Sequence, residues 1–388
     1  MTQTPPLVAT YRLQLNAAFT LRDARARVPY LRALGVSHLY LSPILAARAG
    51  STHGYDVTDP TLVSEVLGGE AAFVELARAA RDAGMGIILD IVPNHMGVGP
   101  DNPWWVDLLT HGKASRYADW FDVAWRAPAK RLEDKVLVPI LGDTLDNVIA
   151  RDEIRLDRAD DTLRVRYFDH VFPLDPRALP SDVESDPDAW STGETGHARM
   201  KALLARQHYE LAFWRAAQRD MNYRRFFDVN DLISLRVERQ DVFDATHREV
   251  LRFVEEGLVD GLRVDHVDGL LEPRRYLDRL RAAVDERRPA ARRFPIVVEK
   301  ILAHDESLPA DWPVDGTTGY EIMTALEDIF IDPAGHAAIE KRYRGERVSF
   351  DFPHVALDAK RRVLRGTLNA DVRRIAPMLA IVARRAKW

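Results

Sequence analysis

The feature that most restricts the fold is an alternation of strand-like and helix-like patterns over the first hundred residues. The predicted strands are the β-rich or apolar runs at residues 8–15, 36–41 and 86–92. One helical pattern begins after Thr20, which forms a capping-box arrangement with Asp23, and a second begins near Glu70. Gly35 and Gly84 stand where these helices would end. This order, with strands that are apolar throughout, predicts a parallel sheet covered by helices on both faces.

The alternation stops after residue 99 and resumes after residue 240. In the intervening segment we predict a β-hairpin from the runs at 154–156 and 163–167, a polar loop at 181–196 and a helix at 202–217. After it we predict helices at 241–256 and 276–285 and strands at 259–264 and 296–299. Residues 323–388 look mostly helical, with at best one strand, at 348–352.

These patterns predict an α/β fold, a TIM (β/α)8-type barrel that is incomplete and carries a large inserted subdomain after its third strand. The predicted segments are 1–99 for the first three βα steps, 100–240 for the inserted mixed α/β subdomain, 241–322 for the fourth and fifth steps and 323–388 for a mostly helical, truncated continuation.

Composition excludes several classes of function. The sequence contains no cysteine, which rules out disulfides, thiolate metal sites and cysteine nucleophiles. The 54 Lys and Arg against 59 Asp and Glu give a net charge of −5, so we expect no nucleic-acid partner. We see neither an apolar run of about 20 residues nor a signal-peptide pattern, and we therefore expect no membrane partner and a cytoplasmic location.

Three predicted strands end in carboxylates, and this places candidate chemistry at one edge of the sheet. Asp90 lies in LDIVPNH, Asp265 in GLRVDHVDG and Glu299 in IVVEK. Active sites of parallel βα folds are built at the carboxyl ends of the strands. A single such Asp can simply cap the following helix, but three are more consistent with a shared site.

Two of these acids have the spacing that glycoside chemistry needs. Asp265 and Glu299 are 34 residues apart, about one βα step, so they can end neighbouring strands. A retaining glycosidase uses two carboxyl groups about 5–5.5 Å apart, one as nucleophile and one as proton donor. Arg263 shares a strand face with Asp265, and we expect it to keep that carboxylate ionised, although a purely structural ion pair is the alternative.

The motifs that carry these residues resemble the α-amylase superfamily of retaining glycosidases. The matching strings are YRLQL, GSTHGYDVTDP, DIVPNH, GLRVDHVDG, IVVEK and GTTGYE. More narrowly, NYRRFFDVNDLISLRVE and WPVDGTTGYE resemble the maltooligosyltrehalose synthases within that superfamily. The resemblance runs in order along the whole chain.

The resemblance implies a double displacement through a covalent glycosyl-enzyme. Asp265 would be the nucleophile, Glu299 the general acid/base and Arg263 the residue that positions Asp265. His266 would lie beside the nucleophile on the substrate side, and Asp90 would support its own strand end.

The resemblance also implies contacts with the sugar at the cleavage position. His95, with Asn94 beside it, would contact sugar hydroxyls. Tyr55 would stack on the same glucose, with Asp56 holding it or the following loop. Taken singly, His95 and Tyr55 also fit a packed core. We expect no cofactor and no metal, because His53 and His95 lack the spacing of a metal-binding helix pair.

The implied reaction is an internal transfer on an α-1,4-glucan, the maltooligosaccharide substrate. The reducing-end α-1,4 bond is cut, and the released glucose is rejoined through an α,α-1,1 bond in a pocket that excludes water. Two other interpretations stay open, an α-1,4-glucan hydrolase and a catalytically incomplete glucan-binding fragment. The Trp-rich segment either covers the sugar or forms the core of the insertion; its members are Trp104, Trp105, Trp120 and Trp125.

The sequence departs from the superfamily pattern after Glu299. A third acid, an Asp after a His on a later strand, is expected there, but His304–Asp305 follows Glu299 too closely to be that strand end. Only 388 − 299 = 89 residues remain, and they read as mostly helical. We therefore expect an N-terminal portion of such an enzyme, with a complementing C-terminal fragment as its partner.

Overall fold

The computed structural model describes residues 6–159, 162–183, 187–288, 293–345 and 351–386. Within them the strands are β1 (Thr10–Leu13), β2 (His38–Leu41), β3 (Leu45–Ala47), β4 (Val57–Val63), β5 (Gly86–Ile91), β6 (His95–Gly97), β7 (Val136–Leu141), β8 (Ile154–Ala159), β9 (Thr162–Tyr167), β10 (His170–Pro173), β11 (Tyr209–Phe213), β12 (Leu232–Ser234), β13 (Gly261–Val264), β14 (Ile296–Val298) and β15 (Gly316–Thr317). The α-helices are α1 (Leu21–Ala33), α2 (Gly69–Asp82), α3 (Pro103–His111), α4 (Leu145–Ala150), α5 (Gly193–Ala205), α6 (Ala217–Asp220), α7 (Gln240–Glu255), α8 (Pro273–Arg287), α9 (Tyr320–Asp328), α10 (Pro333–Arg344), α11 (Phe352–Arg365) and α12 (Asn369–Arg385).

Six strands form one sheet in the order β1-β2-β5-β13-β14-β15, and every neighbouring pair is parallel. The first five are the strands that the apolar runs predict, and β15 is a two-residue strand that the sequence analysis missed. A closed TIM barrel has eight strands. The described residues therefore hold an incomplete barrel sheet, as predicted.

Local signals set the helices that cover this sheet. The Thr20 side chain accepts from the backbone N–H of Asp23, and the Asp23 carboxylate accepts from the N–H of Thr20 at 2.8 Å, so the predicted capping box is confirmed. Gly35 and Gly84 follow α1 and α2 with φ of +92° and +69°, a conformation that favours glycine. Helices α1, α2, α7 and α8 bury their apolar faces against the sheet in one core.

The inserted region has a core of its own. The predicted hairpin is confirmed, because β8 and β9 pair antiparallel from Ile154↔Tyr167 to Ala159↔Thr162, and β10 extends this sheet. The predicted polar loop at 181–196 also contains the start of α5. A second small sheet pairs β7 with β11 in parallel. Antiparallel β6 and β12 then join the insertion to the end of β5.

The predicted helix at 202–217 is wrong. Helix α5 ends at Ala205, and Tyr209–Phe213 form strand β11. The apolar residues of this stretch fit a helical spacing, but Tyr209 and Leu211 also alternate with the half-exposed Glu210, which is the period of a strand. Pairing with β7, which buries Tyr209 and Leu211, favours the strand.

The last described part of the chain is helical, as predicted. Helices α9 to α12 expose most of their apolar side chains, among them Ile322 and Phe352. Of the strand predicted at 348–352, residues 348–350 lie outside the described residues, Asp351 lies just before α11 and Phe352 begins that helix. In the described ranges no helix is both long enough and apolar enough to cross a membrane.

Candidate active site

The three strand-end carboxylates lie on adjacent strands. Asp90 is in β5, Asp265 directly follows β13 and Glu299 directly follows β14. The parallel register sets Arg263 opposite Asp90 on one side and opposite Val297 on the other. Because parallel strands share one carboxyl edge, this register brings all three acids to the same edge of the sheet.

Arg263 is the centre of the cluster. Its Nη1 donates to Asp265 Oδ1 at 2.5 Å and to Asp90 Oδ1 at 2.7 Å. Its Nη2 lies 3.2 Å from Glu299 Oε1. The side chains of Arg263, Asp90 and Asp265 are buried, while that of Glu299 is 25% exposed. One guanidinium thus bridges three carboxylates, and Glu299 is the one most open to solvent.

Asp90 is held by the first part of the chain. Its Oδ2 accepts from Arg12 Nη1 at 3.0 Å, Tyr40 OH at 3.2 Å and Tyr55 OH at 2.5 Å. Arg12 Nη2 also donates to Tyr55 OH at 2.8 Å. Burial and the Asp90 charge raise the pKa of Tyr40 and of Tyr55 above the ordinary range, so both phenols stay protonated as donors. Sequence reasoning missed Arg12 and Tyr40 as site residues, although Arg12 lies in the YRLQL string.

The acid pair retains a proton to higher pH than free carboxyl groups do. Burial raises the pKa of Asp265 to about 7, and the charges of Asp90 and Glu299 add to this, while Arg263 opposes it. The pKa of Glu299 is lowered, since the attraction of Arg263, the His266 N–H and a hydrogen bond from Asp265 outweigh its burial. Arg263 favours the ionised form of Asp265, but burial and the two neighbouring carboxylates outweigh its effect on the pKa of Asp265.

His266 connects the loop after β13 to Glu299. Its backbone lies in the left-handed region with φ of +47°, and its N–H donates to Glu299 Oε2 at 2.9 Å. A Cβ on Gly269 would come within 2.3 Å of the His266 ring and 2.7 Å of Asn94 Oδ1. Only glycine at that position lets the ring and the amide approach so closely.

His95 and Asn94 are buried after β5. The Asn94 amide nitrogen lies 3.3 Å from His95 Nδ1, and its oxygen accepts from Arg224 Nη1 at 2.8 Å. His95 Nε2 is buried and makes no hydrogen bond of ordinary geometry among the described residues. Burial lowers the pKa of His95 to about 3, so its ring is neutral at neutral pH.

Arg224 joins the insertion to this site, and sequence reasoning did not identify it. Besides Asn94, it donates to Asp122 Oδ2 at 2.8 Å and to the carbonyls of Gly269 at 2.6 Å and Leu235 at 2.9 Å. It thus ties the loops after β5 and β13 together. The only signal in the sequence was its place in the NYRRFFDVND string.

Two phenylalanines of the same string pack against the histidines. The Phe226 ring centre lies 4.8 Å from that of His95 and 4.7 Å from that of His266. The Phe227 ring lies 5.2 Å from His266 and is exposed. The sequence analysis instead names tryptophans as candidates for such aromatic cover.

The four tryptophans of the Trp-rich segment lie in or on the core of the insertion. Trp104 and Trp105 are buried in the core of the insertion and pack against its other rings, so core packing is the correct interpretation for both. Trp120 and Trp125 are half-buried on the same core, and their indole N–H groups donate to Asp241 and to the Ala118 carbonyl.

The remaining predicted residues hold loops or lie apart. Asp56 accepts from Ser51 Oγ at 2.5 Å and so fixes the loop that leads to Tyr55. His304 and Asp305 are exposed in the loop after β14. Across the residues that the structure describes, no group of three or more His, Asp or Glu side chains is arranged to hold a metal ion.

Comparison with known proteins gives a family for most of this architecture. The catalytic domain of alpha amylase matches residues 20–294. A curated relative, the putative maltooligosyl trehalose synthase of Mycobacterium tuberculosis, is 41% identical over 386 residues, which is 97% of this chain and 46% of the relative.

Solved structures give the same result. Maltooligosyltrehalose synthase from Arthrobacter ramosus matches with a TM-score of 0.82 at 42% identity, over 96% of this chain and 45% of its own. The hypothetical maltooligosyl trehalose synthase of Sulfolobus tokodaii matches with a TM-score of 0.80 at 35% identity, over 97% of this chain and 46% of its own. The chain thus spans about half the length of the relatives it matches.

Proposed function

The chain belongs to the alpha-amylase family, and from that premise we propose that its acid cluster performs the reaction of a maltooligosyltrehalose synthase. The reaction converts the reducing-end α-1,4 bond of a maltooligosaccharide into an α,α-1,1 bond. The observation that carries the proposal is the meeting of Asp265 and Glu299 on Arg263 at adjacent strand ends. Such a carboxyl pair is the inventory of a retaining double displacement.

In the proposed mechanism the pair works with a single proton. Asp265 attacks the anomeric carbon on the non-reducing side of the bond, while Glu299 gives its proton to the glycosidic oxygen, so that glucose leaves. The glucose turns, and its anomeric hydroxyl attacks the Asp265 ester as Glu299 takes the proton back. In the free pair the pKa of Asp265 is raised and that of Glu299 is lowered. A proton on Asp265 would therefore pass to Glu299 before the attack, which needs no gain of protons.

The neighbouring side chains are proposed to bind the glucose unit at the cleaved bond. His95 Nε2, which has no protein partner of ordinary geometry, would bond a sugar hydroxyl, and Asn94 would fix the ring beside it. Tyr55 would stack on the glucose while its hydroxyl stays on Asp90. His266 would face the substrate next to the nucleophile, and Asp56 would hold the Tyr55 loop.

A complementing C-terminal fragment is proposed as the partner of this chain. Helices α9 to α12 expose large apolar side chains, for which Ile322 and Phe352 are examples, and this is the kind of surface that another segment covers. The relatives are about twice as long as the matched region. The segment boundaries at 99, 240 and 322 and the cytoplasmic location stay predictions.

Incubation of the chain with maltopentaose tests the proposed reaction. Loss of reducing ends without free glucose is the expected result, and Asp265→Asn, which keeps the side-chain shape, is the matched control that should abolish it. A rise in reducing ends would mean that the chain is a hydrolase. Binding without turnover would favour the glucan-binding fragment.

A further inference from the structure

The loop between Arg225 and Ile233 carries two aromatic residues to the mouth of the acid cluster. Arg225 and Ile233 form an antiparallel bridge, and the N–H of Val229 donates to the Phe226 carbonyl at 3.0 Å in a tight turn. The rings of Phe226 and Phe227 lie 4.6 Å apart at 79°. The inner ring therefore supports the outer one in an edge-to-face contact.

The inner ring is fixed by both strand-end histidines. Phe226 lies between His95 and His266, at about equal distances from each. The outer ring, Phe227, packs on His266 alone, and the backbone of His266 donates to Glu299. One side-chain contact thus separates the exposed ring from the loop that holds the proposed proton donor.

The loop is anchored. Arg225 is buried, donates to the Asn230 side chain and the Asp228 carbonyl, and also reaches the Thr367 carbonyl at 2.9 Å. Tyr223 OH donates to the Asn230 carbonyl at 2.7 Å. An aromatic ring on such an anchored turn is pre-organised for a ligand, because little freedom is lost when it is covered.

Phe227 combines an unusual backbone conformation with exposure beside the acid cluster. Its φ is +48°, a region that a bulky side chain rarely adopts, and its side chain is 62% exposed. Its neighbour His266 has the same left-handed backbone, with φ of +47°. Two strained residues in contact beside titratable groups are typical of binding and catalytic sites.

We propose that Phe227 is a glucan-stacking residue, which takes the apolar face of a glucose unit next to the reacting bond. This inference rests on the proposed function and names a further residue of the same site. The apolar C–H face of an α-1,4-linked glucose is flat and fits an open aromatic ring, while its hydroxyls remain for polar partners such as His95. Covering the exposed ring with this face would remove apolar surface from water, which favours binding.

The chain offers a matched control in Phe168. Phe168 also has a left-handed backbone, with φ of +49°, and is 63% exposed, but it lies in the turn between β9 and β10 and packs on Tyr167. Phe168→Gly and Phe227→Gly each remove an exposed ring and relieve the backbone strain of a phenylalanine in the left-handed conformation. Neither change removes a buried side chain, so both variants should stay folded.

Calorimetric titration of the chain with maltoheptaose separates the possibilities. Phe227→Gly should raise the Kd about tenfold, which is the scale of one lost aromatic contact with its buried area. Phe168→Gly should leave it within about twofold, and Phe227→Trp should restore most of the affinity. Thermal unfolding of each variant, measured in parallel, distinguishes a loss of binding from a loss of folded structure.

Three outcomes would overturn the inference, and each has a different consequence. If the unaltered chain binds maltoheptaose and Phe227→Gly binds it equally well, Phe227 has no role in binding. The proposed function is then unaffected. No binding of maltoheptaose by the unaltered chain removes the proposed function and this inference with it. An equal loss in Phe168→Gly would show that the effect is not local to the acid cluster.

Discussion

Helices α7 and α11 have similar amphipathic sequences but very different surroundings. In α7, Phe243, Val250 and Phe253 are buried against the barrel sheet. In α11, Phe352 and Leu364 are exposed. Full burial of such a side chain contributes about 1.5–3 kcal/mol. An apolar stripe therefore predicts a helix, but it does not show whether another part of the protein covers that stripe. Because α7 is buried and α11 is exposed, we expect the sheet region to contribute most of the stability.

The largest expected contrast between the two regions is at their phenylalanines. Phe253 is 0% exposed and packs on Phe73, whereas Phe330, after α9, is 88% exposed. Phe253→Ala should lower the free energy of unfolding by about 4 kcal/mol. Phe330→Ala should change it by less than about 0.5 kcal/mol. Urea unfolding followed by tryptophan fluorescence measures both, and similar losses would contradict the comparison.

A second contrast concerns paired arginines. Arg263→Met leaves three carboxylates of the buried cluster without their shared cation, which should cost about 3 kcal/mol. The loss should grow between pH 5 and pH 8 as Asp265, whose pKa is raised to about 7, loses its proton. Arg344, which pairs with Glu340 on the surface of α10, is the control, and Arg344→Met should cost less than about 1 kcal/mol. Chemical unfolding at both pH values measures the two losses of stability. Equal losses for Arg263→Met and Arg344→Met would contradict the burial of the cluster.

Asp265 makes the stability of the site region depend on pH. Its pKa is raised to about 7 in the folded chain, against about 4 when unfolded, so the folded state binds more protons between these values. Stability from this group is therefore present at low pH and lost as pH rises towards 7. Asp265→Asn should remove that loss and stabilise the chain by about 2 kcal/mol at pH 8, and little at pH 4. Melting temperatures across this range test it, and a parallel shift at every pH would be inconsistent with it.

The smallest contrast uses two glycines. Gly269→Ala would press a Cβ into the His266 ring and should cost about 1–2 kcal/mol and weaken maltoheptaose binding. Gly335→Ala, in α10, meets only the flexible Asp332 side chain and should be neutral or slightly stabilising. Thermal unfolding and titration of both variants provide the measurement. Unaltered glucan binding by Gly269→Ala would show that the His266 loop does not contribute to the site.

Much of the barrel could be predicted because its signals are local. The capping box at Thr20, the glycines after α1 and α2 and the apolar runs before Asp90, Asp265 and Glu299 each act within a few residues. The prediction of a helix at 202–217 was wrong because the apolar residues of its second half fit both a helical and a strand spacing. Only the pairing of β11 with β7 favours the strand. Strand β15 was missed because two residues carry no period.

The sequence by itself determined which strands end in acids and which family the motifs resemble, since both depend on short spacings. Tertiary structure alone decided which atoms meet. Arg224 reaches Asn94 across 130 residues, and the Phe226–Phe227 turn comes to lie on His266 from the insertion. The raised pKa of Asp265 likewise depends on carboxylates from three strands around one guanidinium. The pKa of a side chain and the contacts that it makes both depend on groups that are distant in sequence. Only the folded chain brings those groups together.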